Sequence, residues 1–272
     1  MAHVVALYRH PIKGFTAESV EAFTVQADGR VAGDRVLAFR FADAVTPEDD
    51  DGLDSWPKSK GLSLQDFPAL AALRTRYDVR SRRVRIEHEG AVLAEAELDE
   101  HGRDGEDGRA ELVAAVTDFV LSTPEGRRLQ RPGRLPLVLV GDGETSRFQD
   151  RARGYVSLHS QASTRALGEA LRMDADDRRF RSNIVIDGIG PWDELGWTGE
   201  VRIGAMSFRA AGPIVRCLAT HANPDTGARD AKVLTTLTGA LEQDEPTLGR
   251  LLLPEEGSSE GIIRLGDEVH AH

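Results

Sequence analysis

A single cysteine, Cys217, is the only thiol among 272 residues. One thiol excludes an intramolecular disulfide framework and any centre built from several thiolates, and it fits a reducing compartment. Basic charge is also in short supply. Lys and Arg number 34 against 45 Asp and Glu, a net charge of −11, which argues against nucleic acid as a partner because neutralising phosphates takes a basic face. Long apolar runs are missing too. MAHVVALYRHPIKGF and every other window fall short of the roughly 20 apolar residues of a membrane span, so a cytoplasmic protein with no membrane partner is expected. There is no GxSxG elbow, Walker loop, GxGxxG after a strand or HExxH pair, and the eight histidines show no clear metal-ligand spacing.

What is present is mostly strand pattern. VVALY, SVEAFTVQ and RVLAFRF alternate in polarity and are separated by Pro11, Gly14, Gly29 and Gly33, the signature of short strands and tight turns. ALRTRYDV, RRVRIEHEG and AVLAEAELDE read as a meander, the first of them with a helical alternative because Ala and Leu leave its period open. TPEDDDGLDSWPKSKG reads as an acidic solvated loop, and DEHGRDGEDG as a polar stretch before an amphipathic helix in RAELVAAVTDFVLST. LPLVLVG, YVSLHS, NIVIDG, EVRIGAMSFRA and GIIRLGDEVHAH supply further strands. QASTRALGEALR, capped by Ser160 or Ser163, and DAKVLTTLTGALEQ read as helices, and His270 and His272 as tail residues. Many short strands and few helices predict a mainly β, α+β protein with closed or barrel-like sheets. The Pro, Gly and Arg-rich stretch PEGRRLQRPGR divides it into a β-rich lobe, 1–130, and a second lobe, 131–272.

Cys217 admits two readings. IVRCLAT is compatible with a strand that buries a small apolar thiol. Alternatively, with Arg216 beside it and the polar turn HANPDTG after it, the strand delivers a thiolate to a surface cleft. Between 147 and 181, eight Arg face five Asp or Glu, a local excess inside an acidic chain. This is read either as an anion site, with Arg181 and Asn183 at a strand mouth, or as a solvated surface of ion pairs. Lys13, one of four lysines, lies in the turn HPIKG and Arg35 in AGDRV; both are candidates for the same anion. Ser157, His159 and Ser163 lie around the start of a helix, where free N–H groups attract anions.

In this order the pieces resemble the MOSC superfamily, named for the C-terminal domain of molybdenum cofactor sulfurases, and most of all the branch of the amidoxime-reducing component and its bacterial relatives. The likeness rests on PIKG, GDRVLAF, RRFRSNIVIDGIGPWDELGW, VRCLATHANPDTG and GIIRLGDEV. It implies a MOSC β-barrel preceded by a β-rich N-terminal lobe, with a pyranopterin molybdenum cofactor between them. Cys217 would be the metal's protein ligand. Lys13, Arg35, Ser157, His159, Ser163, Arg181, Asn183 and Arg216 would contact the cofactor. The family also has an association with pyridoxal phosphate binding. The implied activity is reduction of small N-hydroxylated or N-oxide-type substrates with electrons from a separate protein, since no flavin, nicotinamide or iron–sulfur fingerprint is present. The alternative is a cofactor or sulfur carrier holding a persulfide on Cys217, and a third possibility is a barrel that binds no metal. Two departures stand out. Gly14 follows the lysine where the branch often has a hydroxyl or small polar residue. Thr220-His221-Ala222-Asn223 replaces Thr-Thr-Val-Asp, which makes His221 the candidate proton relay and Asn223 a residue that accepts no proton.

Overall fold

A computed structural model describes residues 1–44, 57–98, 103–150 and 154–271. The acidic part of the 46–61 loop, the start of the polar stretch at 99–102 and His272 lie outside the described residues. The first strands are β1 (Ala2–Arg9), β2 (Glu18–Val20), β3 (Ala22–Val25) and β4 (Ala38–Arg40). A meander follows: β5 (Leu73–Asp78), β6 (Arg83–His88) and β7 (Ala91–Glu97). The alternation of buried and more exposed residues along β5 settles its period as that of a strand. Helix α1 (Arg103–Ser122) begins in what the sequence presents as a polar stretch and buries Leu112, Val116 and Val120 at four-residue spacing. These pack with Tyr77, Val84 and Ile86 of the meander and with Phe15, Phe39 and Phe41 into one core.

After the short α2 (Gly126–Leu129) and β8 (Val138–Val140), the chain builds β9 (Val156–Ser160), α3 (Gln161–Leu171), β10 (Ile184–Asp187), β11 (Glu200–Ile203) and β12 (Met206–Val215). It finishes with α4 (Val233–Thr235), β13 (Thr247–Pro254), β14 (Gly261–Arg264) and β15 (Glu268–Ala271). Seven strands close a barrel in the order β10, β9, β13, β12, β11, β15, β1, with β1 returning to β10. The only parallel neighbours in it are β9 and β10, and α3 is the crossover that parallel pairing requires. The barrel closes through the N-terminus, since β1 pairs with β10 on one side and with β15 and β2 on the other. Its interior is filled by Val4, Leu158, Ile184, Val201, Phe208 and Leu252, among others, all essentially inaccessible.

The expected β-barrel is therefore found, with differences in detail. Ser160 is the α3 cap, accepting the Ser163 N–H at 3.1 Å. DAKVLTTLTGALEQ yields one α turn running into a π turn, Thr236–Ala240, in keeping with its β-branched threonines and Gly239. GIIRLGDEVHAH turns at Leu265 and Gly266 and feeds two sheets, so His270 sits in a barrel strand opposite Arg202. No helix among the described residues is long and apolar enough to cross a membrane.

Candidate functional site: a cationic cleft around Cys217

Strand β12 ends at Val215, and Cys217 follows as the residue before a single 3₁₀ turn, Leu218–His221. The thiol is half-buried, belongs to no hydrophobic core, and opens on a cleft of about 570 Å³ whose walls include Arg35, Lys58, Asp150, Arg181 and Asn183. Its sulfur accepts a hydrogen bond from Lys58 Nζ at 3.3 Å. Five separate stretches of sequence thus meet here, and the barrel contributes the sulfur.

Arg35 and Arg181 reach the cleft from backbone that non-glycine residues rarely adopt, with φ of 55° and 53°. Such positions cost of order 1–3 kcal/mol and are held only by their surroundings. Arg35 pairs with Asp34 and donates Nη2–H to the Arg181 carbonyl at 3.2 Å, while Arg181 Nη1 donates to the Phe15 carbonyl. Removal from water, and secondarily the neighbouring Arg35, lowers the Arg181 pKa to about 10. Two like charges therefore share one wall, with Asp34 committed to Arg35, and an anion between them relieves the repulsion.

Lys13 is buried behind this wall, its Nζ donating to the Phe148 carbonyl at 2.9 Å and to Asp150 at 2.6 Å. Burial outweighs Asp150 and brings its pKa down to about 8. At Lys58 the balance is reversed: burial opposes the charge, but Asp150 and the Cys217 sulfur together push the pKa up. Gly14 needs its φ of +83°, and a Cβ there would lie 2.8 Å from the Leu62 carbonyl oxygen. A hydroxyl-bearing residue does not fit this turn, which accounts for the first departure noted in the sequence.

Ser157 and Asn183 add neutral polar lining. Ser157 Oγ and the Asn183 side-chain oxygen lie 2.8 Å apart, and Asn183 Nδ2 donates to the Tyr8 carbonyl at 3.2 Å, so both side chains are fixed. Arg216 lines the cleft but spends its guanidinium on the protein. Nε donates to Leu248 O at 2.7 Å and Nη1 to Phe180 O at 2.6 Å, with the Phe180 ring centroid 5.5 Å away.

Besides Lys13, four candidate residues lie outside the lining. His159 is fully buried, its Nε2 2.9 Å from Asp177 and its ring edge-on to Phe180. Ser163 accepts from Trp192 N at 2.8 Å and donates to the sealed Glu194 carboxylate at 2.9 Å. His221 Nε2 accepts the Leu234 N–H at 3.3 Å, which places the ring proton on Nδ1. Asn223 closes its own turn, accepting from Asp225 N and donating to Asp230 at 2.8 Å. Conversely, Lys58 and Asp150 belong to the site and escaped sequence reading. The signal for Lys58 was the scarcity of lysine; for Asp150 there was none.

Behind Arg35, His10 is wholly inaccessible and donates its backbone N–H to Asp34 at 2.7 Å. Burial, then the Arg181 charge, brings its pKa down to about 3. Between pH 6.5 and 3 the unfolded chain therefore binds the extra proton, and stability falls as pH falls. From pH 7 to 5 this group is expected to cost roughly 2 kcal/mol. Urea unfolding at both pH values should show that loss in the wild type and not in His10→Phe, other buried groups being common to both. Equal losses in the two proteins would refute the assignment.

Among the described residues no three His, Cys, Asp or Glu cluster as metal ligands. A metal bound here would be held through one soft sulfur and completed by donors that a bound group brings with it. One sulfur, two guanidiniums, two lysines and the neutral polar groups of Ser157 and Asn183 form a donor set that fits a metal-carrying molecule with an anionic end.

Two domain models match this chain: the MOSC N-terminal beta barrel domain over residues 1–117 and the MOSC domain over 145–270. Curated relatives include a molybdenum cofactor sulfurase of Drosophila grimshawi, 36% identical over 41% of this chain and 14% of that protein. Another is the mitochondrial amidoxime-reducing component 1 of Mus musculus, 36% identical over 41% of this chain and 34% of that protein. The matches thus span about a third or less of these relatives' length. A solved structure, the YUAD protein from Bacillus subtilis, covers the whole chain at 10% identity with a TM-score of 0.42, too loose a superposition to carry an argument. The two domain matches and the closed barrel agree, and the chain belongs to the MOSC-domain family, in the arrangement where a MOSC N-terminal β-barrel domain precedes the MOSC domain.

Proposed function

We propose that the cleft binds the pyranopterin molybdenum cofactor and that the protein reduces N-oxygenated organic substrates with electrons from a separate donor protein. The reading is carried by one observation: the chain's sole thiol opens on a cleft of about 570 Å³ shared with Arg35, Lys58 and Arg181. When bound, the cofactor supplies a two-electron metal centre suited to taking an oxygen atom from nitrogen. Cys217 holds the metal by one sulfur, which suffices where the pterin brings its own. Arg35, Arg181 and Lys58 neutralise the cofactor's phosphate, with Lys13 supporting through Asp150, and Ser157 and Asn183 meet neutral polar edges. Val215, in the cleft lining near the sulfur, is 44% exposed and offers an apolar edge for the organic part of a substrate. His221 and Asn223 are occupied by backbone and by Asp230, so no proton step is assigned to them.

The Lys58–Cys217 contact also suits the second reading, a carrier of cofactor or of persulfide sulfur, since an ammonium stabilises any anionic sulfur species. Protein from a host that makes the cofactor separates the two. Given an artificial electron donor, the enzyme reading expects reduction of a benzamidoxime-like substrate. Full metal loading without turnover on several N-oxygenated compounds leaves the carrier, and a persulfide mass shift on Cys217 would favour it.

A further inference from the structure

Two carboxylates face the cations of the cleft, and they differ in kind. Asp34 is sealed in: its side chain is 1% exposed, it pairs with Arg35, and it accepts the His10 backbone N–H at 2.7 Å. These partners hold it well below the usual carboxylate range despite burial. Asp34 is a permanent part of the wall.

Asp150 is the opposite case. Half of its side chain is exposed, and it lines the cleft. One carboxylate oxygen meets Lys13 Nζ at 2.6 Å, and the other faces Lys58 Nζ at 3.4 Å. The two lysines come from separate parts of the chain, one from the turn after β1 and one from the 3₁₀ turn Lys58–Lys60. Lys58 also touches the Cys217 sulfur. Two oxygens on one anionic group, each on its own ammonium and next to the sulfur, reproduce what a phosphate would do in the same place. A carboxylate held that way and open to solvent can give up its position at little cost; Asp34 cannot.

We propose that Asp150 is an internal counter-ion that orders Lys13 and Lys58 and yields them to an incoming phosphate-type anion, which makes Lys58 a further anion-binding residue of this cleft. The inference rests on the proposed reading of this cleft as an anion site and adds the role of Asp150, but its test uses phosphate alone. It therefore stands or falls without a metal. Removing the carboxylate's charge leaves Lys13 with the Phe148 carbonyl and Lys58 with the Cys217 sulfur but both without this counter-ion, and removes a like charge from beside the ligand.

The test is calorimetric titration of the full chain, prepared without cofactor, with inorganic phosphate at low and at high salt. Asp150→Asn is expected to bind phosphate about tenfold more tightly than wild type, with the gain shrinking as salt rises. Lys58→Met alone should weaken binding several-fold, and placed on top of Asp150→Asn it should erase most of the gain. Near-ultraviolet circular dichroism verifies that each variant is folded, which the exposure of both side chains favours. Unchanged or weaker binding by Asp150→Asn would overturn the proposal, as would an absence of phosphate binding in wild type and variant alike. Those outcomes leave the cofactor reading to the molybdenum content of loaded protein, so the two failures are distinguishable.

Discussion

Arg216→Leu is expected to destabilise the protein by roughly 3–5 kcal/mol, because it strips two carbonyls of their donors inside the fold. The Phe180 and Leu248 oxygens both accept from this guanidinium, which ties the segment before Cys217 to β13 and to the turn that carries Arg181. The approach is close: a Cβ on Gly249 would lie 3.0 Å from Arg216 Nη2. Arg216→Lys should recover only part of the loss, since a lysine offers a point charge in place of a planar fork. The control is Arg178→Leu, which loses pairs to the solvent-facing Asp176 and Asp225 and is expected to cost within about 1 kcal/mol. Urea unfolding midpoints decide it. If Arg216→Leu costs no more than Arg178→Leu, the guanidinium is not a structural clamp and is available to a ligand instead.

That role for Arg216 could not be seen in the sequence, and the reason is instructive. An arginine beside a lone cysteine reads as a neighbour that tunes the thiol, and nothing in the letters says that its fork points to carbonyls of two other segments. His159 shows the same limit. It shares the parity of Ser157 on β9 but lies roughly 6–7 Å farther along the strand, which takes it out of the cleft and against Phe180. Alternation fixes a face; it does not say where along that face a cleft stops. Lys58 and Asp150 were hidden for a different reason, since their meeting with Cys217 and Lys13 spans 159 and 137 residues, beyond any local pattern.

Other features were legible because local rules decide them. Strand alternation, tight turns and scarce helices pointed to closed or barrel-like sheets, and α1 followed from its three- and four-residue spacing. At Cys217 local rules left a buried thiol and a cleft thiolate both open, and the polar turn after the strand pointed only to the second. Arg181, at the end of the basic stretch, and Arg35, in AGDRV, share the cleft with Asn183. What the sequence does not reveal is the strain that delivers the two arginines, since positive φ at a non-glycine residue has no compositional mark.

The second large effect concerns the sulfur itself. Serine in place of Cys217 keeps the size of the side chain and, with the thiol outside every core, is expected to leave stability nearly unchanged. It exchanges a soft donor for a hard, weak one, however, and a metal that favours sulfur loses its only covalent attachment to the chain. The cations proposed for the cofactor's phosphate are untouched, so cofactor retention should fall steeply without the cleft being lost. Purification under identical conditions from a cofactor-producing host puts both proteins to the same trial.

Quantitative elemental analysis of that pair tests the central claim most directly: the lone thiol is where a metal-bearing cofactor joins the chain. About one molybdenum per wild-type chain and less than about a tenth of that in folded Cys217→Ser is the expected result. Equal molybdenum in both proteins, or none in the wild type, would contradict it.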